Sequence, residues 1–396
     1  MSGKQFERKR KEDRPVLAIC YDFDKTLSPN DMQAQGYIQS VGYDIEAFWR
    51  ESNGLAEDND MDQNLAYMFK MVTEAEGHFA FTREKLAEYG ESVELFPGVE
   101  DWFERIREYG KNQGVIVEHY IISSGLKEMI EGTKIAKEGA FEKIYASSFY
   151  FNNRGVAEWP AQVVNYTNKT QFLFRIEKGI LDVNDPSIND YFQPDESRVP
   201  FRNIVYIGDS DTDIPCMKLV NSHGGHSIGV FDAGTNDKKK VHKMIRDNRI
   251  KYFAPADYNK NSILDELVKA IIDRTATNEK LESIYYKDKK EVAEEEKPLK
   301  HSSGEEKRDG LIVALENSKS FANTHTLIRY LKIYPSWGDN EREALFNAAI
   351  NNPQVRWILA DSDVKDFYMQ LLSETQEISP AAQKVKDIIE KEVNTN

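Results

Sequence analysis

Cysteine is nearly absent from this sequence: Cys20 and Cys216 are the only two in 396 residues. Two thiols cannot build a disulfide framework, so the fold must rest on its own core, and a reducing compartment, the cytoplasm, is the expected setting. Long hydrophobic runs are missing as well. The apolar run 16–20 that follows the basic residues Lys4, Arg8, Lys9, Arg10 and Lys11 is too short for a signal peptide. No stretch reaches the roughly 18 apolar residues of a membrane span. Positive charge is in deficit, 52 Lys and Arg against 67 Asp and Glu, for a formal net charge of -15. Attraction to nucleic acid or to an anionic membrane is thereby disfavoured, and neither is expected as a partner. A phosphate-bearing substrate would need local positive help.

What is present can build a core: 40% hydrophobic, 11% aromatic and 30% charged residues. Residues 14–275 alternate short apolar runs with helix-period segments, the pattern of an α/β fold with a doubly wound parallel sheet. Strands are expected at 16–21, 115–122, 203–207, 227–231 and 251–254. Two segments interrupt the alternation. Residues 30–94 read as helices, with Phe48, Trp49, Leu65, Met68, Phe69 and Val72 at helical spacing, an insertion able to act as a cap. Residues 141–167 read as a hairpin insertion around the turn Asn152, Asn153, Arg154, Gly155. Residues 1–13 are expected to be a flexible, solvated leader and 276–309 a charged linker, ending in Glu294, Glu295, Glu296, Lys297 and then Ser302, Ser303, Gly304. Apolar periodicity returns in 310–396, a small helical module whose last stretch, 381–393, is amphipathic.

Chemistry concentrates at four places. Asp22 and Asp24 leave the end of the first apolar strand two residues apart, where open α/β sheets bind ligands. One carboxylate there can attack phosphorus while the second protonates the leaving oxygen. Asp209, Asp211 and Asp213 follow another apolar strand and add carboxylates to the same sheet edge. Such a set suits Mg²⁺, a hard cation that takes oxygen ligands, and without a cation it would repel phosphate. Ser123, Ser124 and Gly125 end a third strand just before a helix, offering a hydroxyl and free amides to phosphate oxygens. Lys169, opening a later helix, can neutralise nucleophile and phosphate.

In this order the four segments resemble the four motifs of the haloacid dehalogenase-like (HAD) hydrolases, over residues 14–275. The resemblance implies a Rossmann-like core and a Mg²⁺-dependent phosphatase working on a small phosphomonoester through an aspartyl phosphate. Asp22 would be the nucleophile and a metal ligand. Asp24 would be the general acid and base, its backbone carbonyl on the metal. Thr26 would support the loop on the phosphate-binding side, with Ser123, Ser124 and Gly125 holding the phosphoryl group, and Lys169 would be the motif lysine. Asp209 would ligate Mg²⁺ directly and Asp213 would act through water or another ligand. The helical insertion after the first motif resembles the phosphoserine-phosphatase-like branch, although Ser210 stands where that branch often has glycine. Dehalogenase members lack the acid two residues after the nucleophile, so Asp24 argues for phosphate. Two alternatives remain: transfer of the phosphoryl group to another acceptor by a phosphotransferase or mutase, and an interaction protein working through 310–396 with a vestigial core.

Other chemistry-bearing residues have plainer readings. Cys20 inside an apolar strand reads as a small buried hydrophobe rather than a redox switch. His223 and His226 flank two glycines without further ligands, and His119 reads as a satisfied strand histidine. Arg50, Lys70 and Arg154 read as solvated charges. Trp337, Trp357, Phe367 and Tyr368 read as the core of the C-terminal module, which is also the expected place for a protein partner or self-association.

Overall fold

The computed structural model describes residues 6–192, 196–295, 304–375 and 377–393; of the readings above, those on Lys4, Glu296, Lys297, Ser302 and Ser303 fall outside it. The chain divides into two compact units, Met1–Tyr286 and Lys287–Asn396.

The first unit is built on one seven-stranded sheet: β1 Val16–Tyr21, β2 Ile116–Leu126, β3 Lys143–Phe151, β4 Ala157–Gln162, β5 Ile204–Gly208, β6 His226–Phe231 and β7 Tyr252–Pro255. The spatial order is β4-β3-β2-β1-β5-β6-β7, and every pair is parallel except β3 with β4. β1 runs VLAICY and is buried along its whole length, as a central strand covered on both faces must be. Its alternate residues serve two cores. Leu17, Ile19 and Tyr21 pack with Val205 and Ile207 on one face, while Val16, Ala18 and Cys20 pack with Ile204 and Tyr206 on the other. The strand order reverses beside β1, and the crevice at such a reversal is where doubly wound sheets take ligands.

The hairpin expected at 141–167 exists, but its first strand is not an insertion. Residues 143–147 of β3 pair with β2 in the parallel sheet, and only 148–151 turn to pair with β4. The helical segment is as expected: Ile45–Asp58, Gln63–Ala75 and Arg83–Glu91 follow two shorter turns, each opening on a side-chain cap from Asp44, Asp62 and Thr82. The leader is packed rather than solvated over its described part. Lys9 bonds the Gly179 carbonyl through its amide and Glu118 through its ammonium at 3.1 Å, and Arg8 donates to the Lys178 carbonyl. Glu118 is buried, and Arg198 grips both of its oxygens at 2.6 and 2.8 Å. A buried carboxylate needs such partners, and the leader lysine supplies one of them.

The segment expected to be a charged linker begins as helix. Ile263–Glu295 is continuous; Leu264, Val268, Ile271 and Ile272 bury its first half in the core, and Glu279 receives Arg202 at 3.0 Å. The second unit is helical, with a core that includes Trp337, Phe346, Phe367 and Tyr368. Trp357 departs from its expected core role and is 78% exposed. Among the described residues no helix is long and apolar enough to cross a membrane.

Candidate active site

Three strand ends and one helix start converge beyond the carboxyl edge of the sheet. Asp22 follows β1 directly, and its amide donates to the Ile207 carbonyl of the neighbouring β5. One Asp22 oxygen accepts the Phe23 amide at 2.8 Å and the other faces the Lys169 ammonium at 3.3 Å. Lys169 ends a helical turn, Tyr166–Lys169, and its side chain is wholly buried. Burying an ammonium is costly without opposite charge, and Asp213 at 2.8 Å with Asp22 provides it. Burial alone would lower the Lys169 pKa; Asp213 and Asp22 reverse that and hold it charged.

Asp213 is saturated by its neighbours. One oxygen accepts Lys169 and the Tyr206 hydroxyl, at 2.8 and 2.9 Å, and the other accepts the amide and hydroxyl of Ser210, at 3.0 and 2.9 Å. Asp22 and Asp209 therefore keep oxygens to present to a ligand, while Asp213 acts from behind them. Ligand atoms of these three aspartates lie within 4.8 Å of one another. So tight an acidic set is short of positive charge. Burial, then the Asp213 charge, pushes the Asp22 carboxyl up to about 6 despite Lys169. Burial and Asp213 likewise push Asp209 up to about 7, against the nearby Lys240 ammonium, 3.6 Å away. Only oxygen donors meet here, the donor set a hard divalent cation takes, and a cation would relieve the repulsion. The residues present thus fit a divalent metal.

Asp24 is the other perturbed carboxyl. Burial, then the charges of Asp31 and Asp22, hold its pKa well above the usual range, which favours its protonated form. One of its oxygens accepts the Met32 amide at 2.8 Å. The other lies beside Gly125, where an added Cβ would come within 3.0 Å of it and 2.6 Å of the Met32 methyl, so a side chain there would displace Met32 and crowd the carboxyl. Ser123 and Ser124 belong to the end of β2, and the helix begins only at Lys127. The Ser123 hydroxyl accepts the Gly125 amide, bracing the turn.

A cleft of about 240 Å³ opens over these groups, lined among others by Asp22, Asp24, Ser123, Ser124, Gly125 and Asp209. Three of the expected site residues lie behind its wall: Lys169, Asp213 and Thr26. Thr26 is fully buried, its carbonyl taken by the Tyr258 hydroxyl, which places it under the loop rather than on a phosphate. The cap reaches the cleft through Gln63 and Asn64 at the start of Gln63–Ala75, and Tyr67 of that helix donates to the Ser124 carbonyl at 2.8 Å. Lys25 lines the same cleft in the left-handed region, φ 58°, and is paired with Asp31 at 2.8 Å. The sequence reading missed Tyr206, Gln63, Asn64 and Lys25. Only Lys25 carried a local signal, standing between two motif aspartates.

The remaining candidates are accounted for elsewhere. Cys20 and Cys216 are free and buried. His119 is buried between the Tyr21 hydroxyl and the Phe103 carbonyl, His223 is exposed and bonded to the Leu219 carbonyl, and His226 is buried and stacked on Tyr252. Lys70 is not solvated but held by Glu51 and Glu74.

Known proteins resemble part of this chain. A protein of Borreliella burgdorferi described as uncharacterized is 30% identical over 272 residues, spanning 63% of this chain and 94% of its own. Among solved structures, a HAD-family hydrolase of Salmonella enterica serovar Typhi is 17% identical, with TM-score 0.43, over 66% of this chain and 73% of that one. A probable phosphoserine phosphatase of Vibrio cholerae is 13% identical, with TM-score 0.45, over 67% of each chain. The sequence model of the haloacid dehalogenase-like hydrolases matches residues 19–218, from within β1 to the helix that follows Asp213. The chain belongs to the haloacid dehalogenase-like hydrolases.

Proposed function

We propose that this protein is a Mg²⁺-dependent phosphohydrolase that acts on a small phosphomonoester through a phosphoaspartate at Asp22. The observation that carries the reading is the division of labour among carboxyls in one cleft. Asp22 is fixed by the Phe23 amide and faced by a buried ammonium, while burial and neighbouring charge raise the pKa of Asp24, two residues on. A nucleophile must be ionised and a general acid must not be; burial and Asp213 raise the Asp22 carboxyl only to about 6, below neutral pH, while the protonated form of Asp24 is favoured more strongly.

In the first step an Asp22 oxygen bonds to phosphorus as the bond from phosphorus to the alcohol oxygen breaks, and Asp24 gives that oxygen its proton. In the second, Asp24, now a carboxylate, takes a proton from the water that attacks phosphorus, releasing phosphate and restoring Asp22. Lys169 holds charge beside Asp22 throughout, and the Ser123–Gly125 turn offers amide and hydroxyl groups to the phosphoryl oxygens. When bound between Asp22 and Asp209, Mg²⁺ would supply the counter-charge the phosphate needs. Asp213 would steady that site indirectly. The two buried thiols fit a reducing compartment, and we place the protein in the cytoplasm; a partner or self-association through 310–396 is part of the same proposal.

The test is phosphate release from an aryl phosphate with and without Mg²⁺. Turnover is expected to require the metal and to vanish after chelation. Full activity in excess EDTA would overturn the reading.

A further inference from the structure

From the side chains that line the outer part of the cleft, we propose that the substrate is the phosphate ester of a small, neutral, hydroxylated alcohol of the polyol or sugar kind, recognised through Gln63 and Asn64. The inference rests on the phosphohydrolase reading and names its substrate class. The charged groups of the cleft belong to the phosphate end. Asp22, Asp24 and Asp209 form the carboxylate cluster, and the Lys240 ammonium stands 3.6 Å from Asp209. Lys25 and Asp31 neutralise each other at 2.8 Å. Among the described residues no arginine lines the cleft. Apart from the Ser123–Gly125 turn, what remains is Gln63 and Asn64 from the cap, Asn165 and Tyr166 from the segment leading to Lys169, and Ser210 and Thr212 beside Asp209, whose hydroxyls bond each other, all neutral.

Two of these carry unspent hydrogen-bonding capacity. Asn165 is committed, its amide given to Asp62 and its oxygen to the Tyr166 amide. Asn64 donates to the Val164 carbonyl at 2.7 Å, but among the described residues its oxygen accepts nothing, and the Gln63 carboxamide makes no hydrogen bond. Asp62 caps the helix on which both stand, and its bond to Asn165 ties that helix start to the far wall, so the two amides are presented from a fixed frame. A carboxamide both donates and accepts, as a hydroxyl does, which makes it a matched partner for a polyol. The ring of Tyr166, 46% exposed, adds an amphipathic face suited to the C–H side of a sugar.

The cleft, about 240 Å³, has room for a small phosphate ester. A zwitterionic leaving group such as that of phosphoserine would meet carboxamides at Gln63 and Asn64 in place of opposite charges, and burying its two charges there is costly. The outer wall is therefore matched to hydroxyls and mismatched to charge.

The experiment compares kcat/KM for glycerol phosphate and glucose phosphate with O-phosphoserine, and uses para-nitrophenyl phosphate as a generic substrate, on the full chain with Mg²⁺. At least one polyol or sugar ester is expected to exceed phosphoserine by about tenfold or more, the worth of one well-placed hydrogen bond lost. Gln63→Leu is expected to lower kcat/KM for that ester about five- to tenfold more than for the aryl phosphate. Phosphoserine turned over as well as or better than every polyol ester, or Gln63→Leu without selective effect, would overturn the inference. Failure of the aryl phosphate itself would instead strike at the phosphohydrolase reading.

Discussion

At the scale of single residues, Lys169 has the most to lose. Its ammonium is buried between Asp22 and Asp213, so Lys169→Met would leave two carboxylates facing each other without the charge that separates them. We expect kcat to fall about 100-fold or more, with a loss of stability of about 3 kcal/mol or less if one carboxyl takes up a proton. Steady-state rates and urea melts of the variant measure both. A second prediction concerns acid. Burial, then Lys251 and Arg274, hold His226 at about 4, and burial with Arg107 holds His119 well below its ordinary value. In the unfolded chain both take a proton near pH ~6.5, so between there and pH 4 the unfolded state binds more protons. The stability these residues contribute is thus complete above about pH 6.5 and is lost as pH falls toward 4. Melts taken at stepwise lower pH should show the decline, and His226→Phe should make it shallower; an unchanged slope would discount His226.

At the scale of elements, the cap is fastened to the core by a close helix crossing. A Cβ on Gly90 of Arg83–Glu91 would come within 1.9 Å of the Met129 carbonyl, and one on Gly132 of Lys127–Gly132 within 2.1 Å of the Ala87 carbonyl. Both contacts are with backbone, which cannot swing aside. Gly132→Ala should therefore cost about 1–3 kcal/mol in thermal or urea melts. Because Lys127–Gly132 follows the Ser123–Gly125 turn, KM should rise as well. A neutral substitution would mean the crossing is looser than the packing implies. The five strands expected from apolar runs exist with ends shifted by a few residues at most, since a strand buried on both faces writes itself as continuous hydrophobicity. β3 was harder to place. Its inner half belongs to the parallel sheet and its outer half to a hairpin, and no local pattern says where a strand changes partner. The four motifs were legible because each is a short polar run behind an apolar strand. Tyr206 was not, for a tyrosine in a buried strand looks like core until its hydroxyl is seen on Asp213. Gln63 and Asn64 were hidden for another reason: their place at the cleft depends on how the cap folds back against a segment 100 residues further along the chain.

At the scale of the whole molecule, the chemistry lies in the first unit. The helix Ile263–Glu295 buries Leu264, Val268, Ile271 and Ile272 in that unit's core and pairs Glu279 with Arg202, so its first half belongs to the enzyme. A chain ending after Tyr286 should fold and keep its hydrolysis rate within about twofold, because every group of the cleft precedes that residue. One ending at Arg274 should melt lower, having lost Thr275 and the Glu279 pair. Expression and melting of the two shortened chains decide the matter, and an inactive chain ending at Tyr286 would show that the second unit takes part in catalysis. Against a net charge of -15, the proposed Mg²⁺ and Lys169 would draw in the phosphate, so chelation and salt should weaken binding together. The central claim is that phosphate passes through Asp22. The most direct measurement is to quench the protein in acid during turnover of a phosphate-labelled aryl ester with Mg²⁺ and to locate the label by peptide mapping. The account predicts label on the peptide carrying Asp22 and none in Asp22→Asn; label on another residue, or turnover that persists in Asp22→Asn, would contradict it.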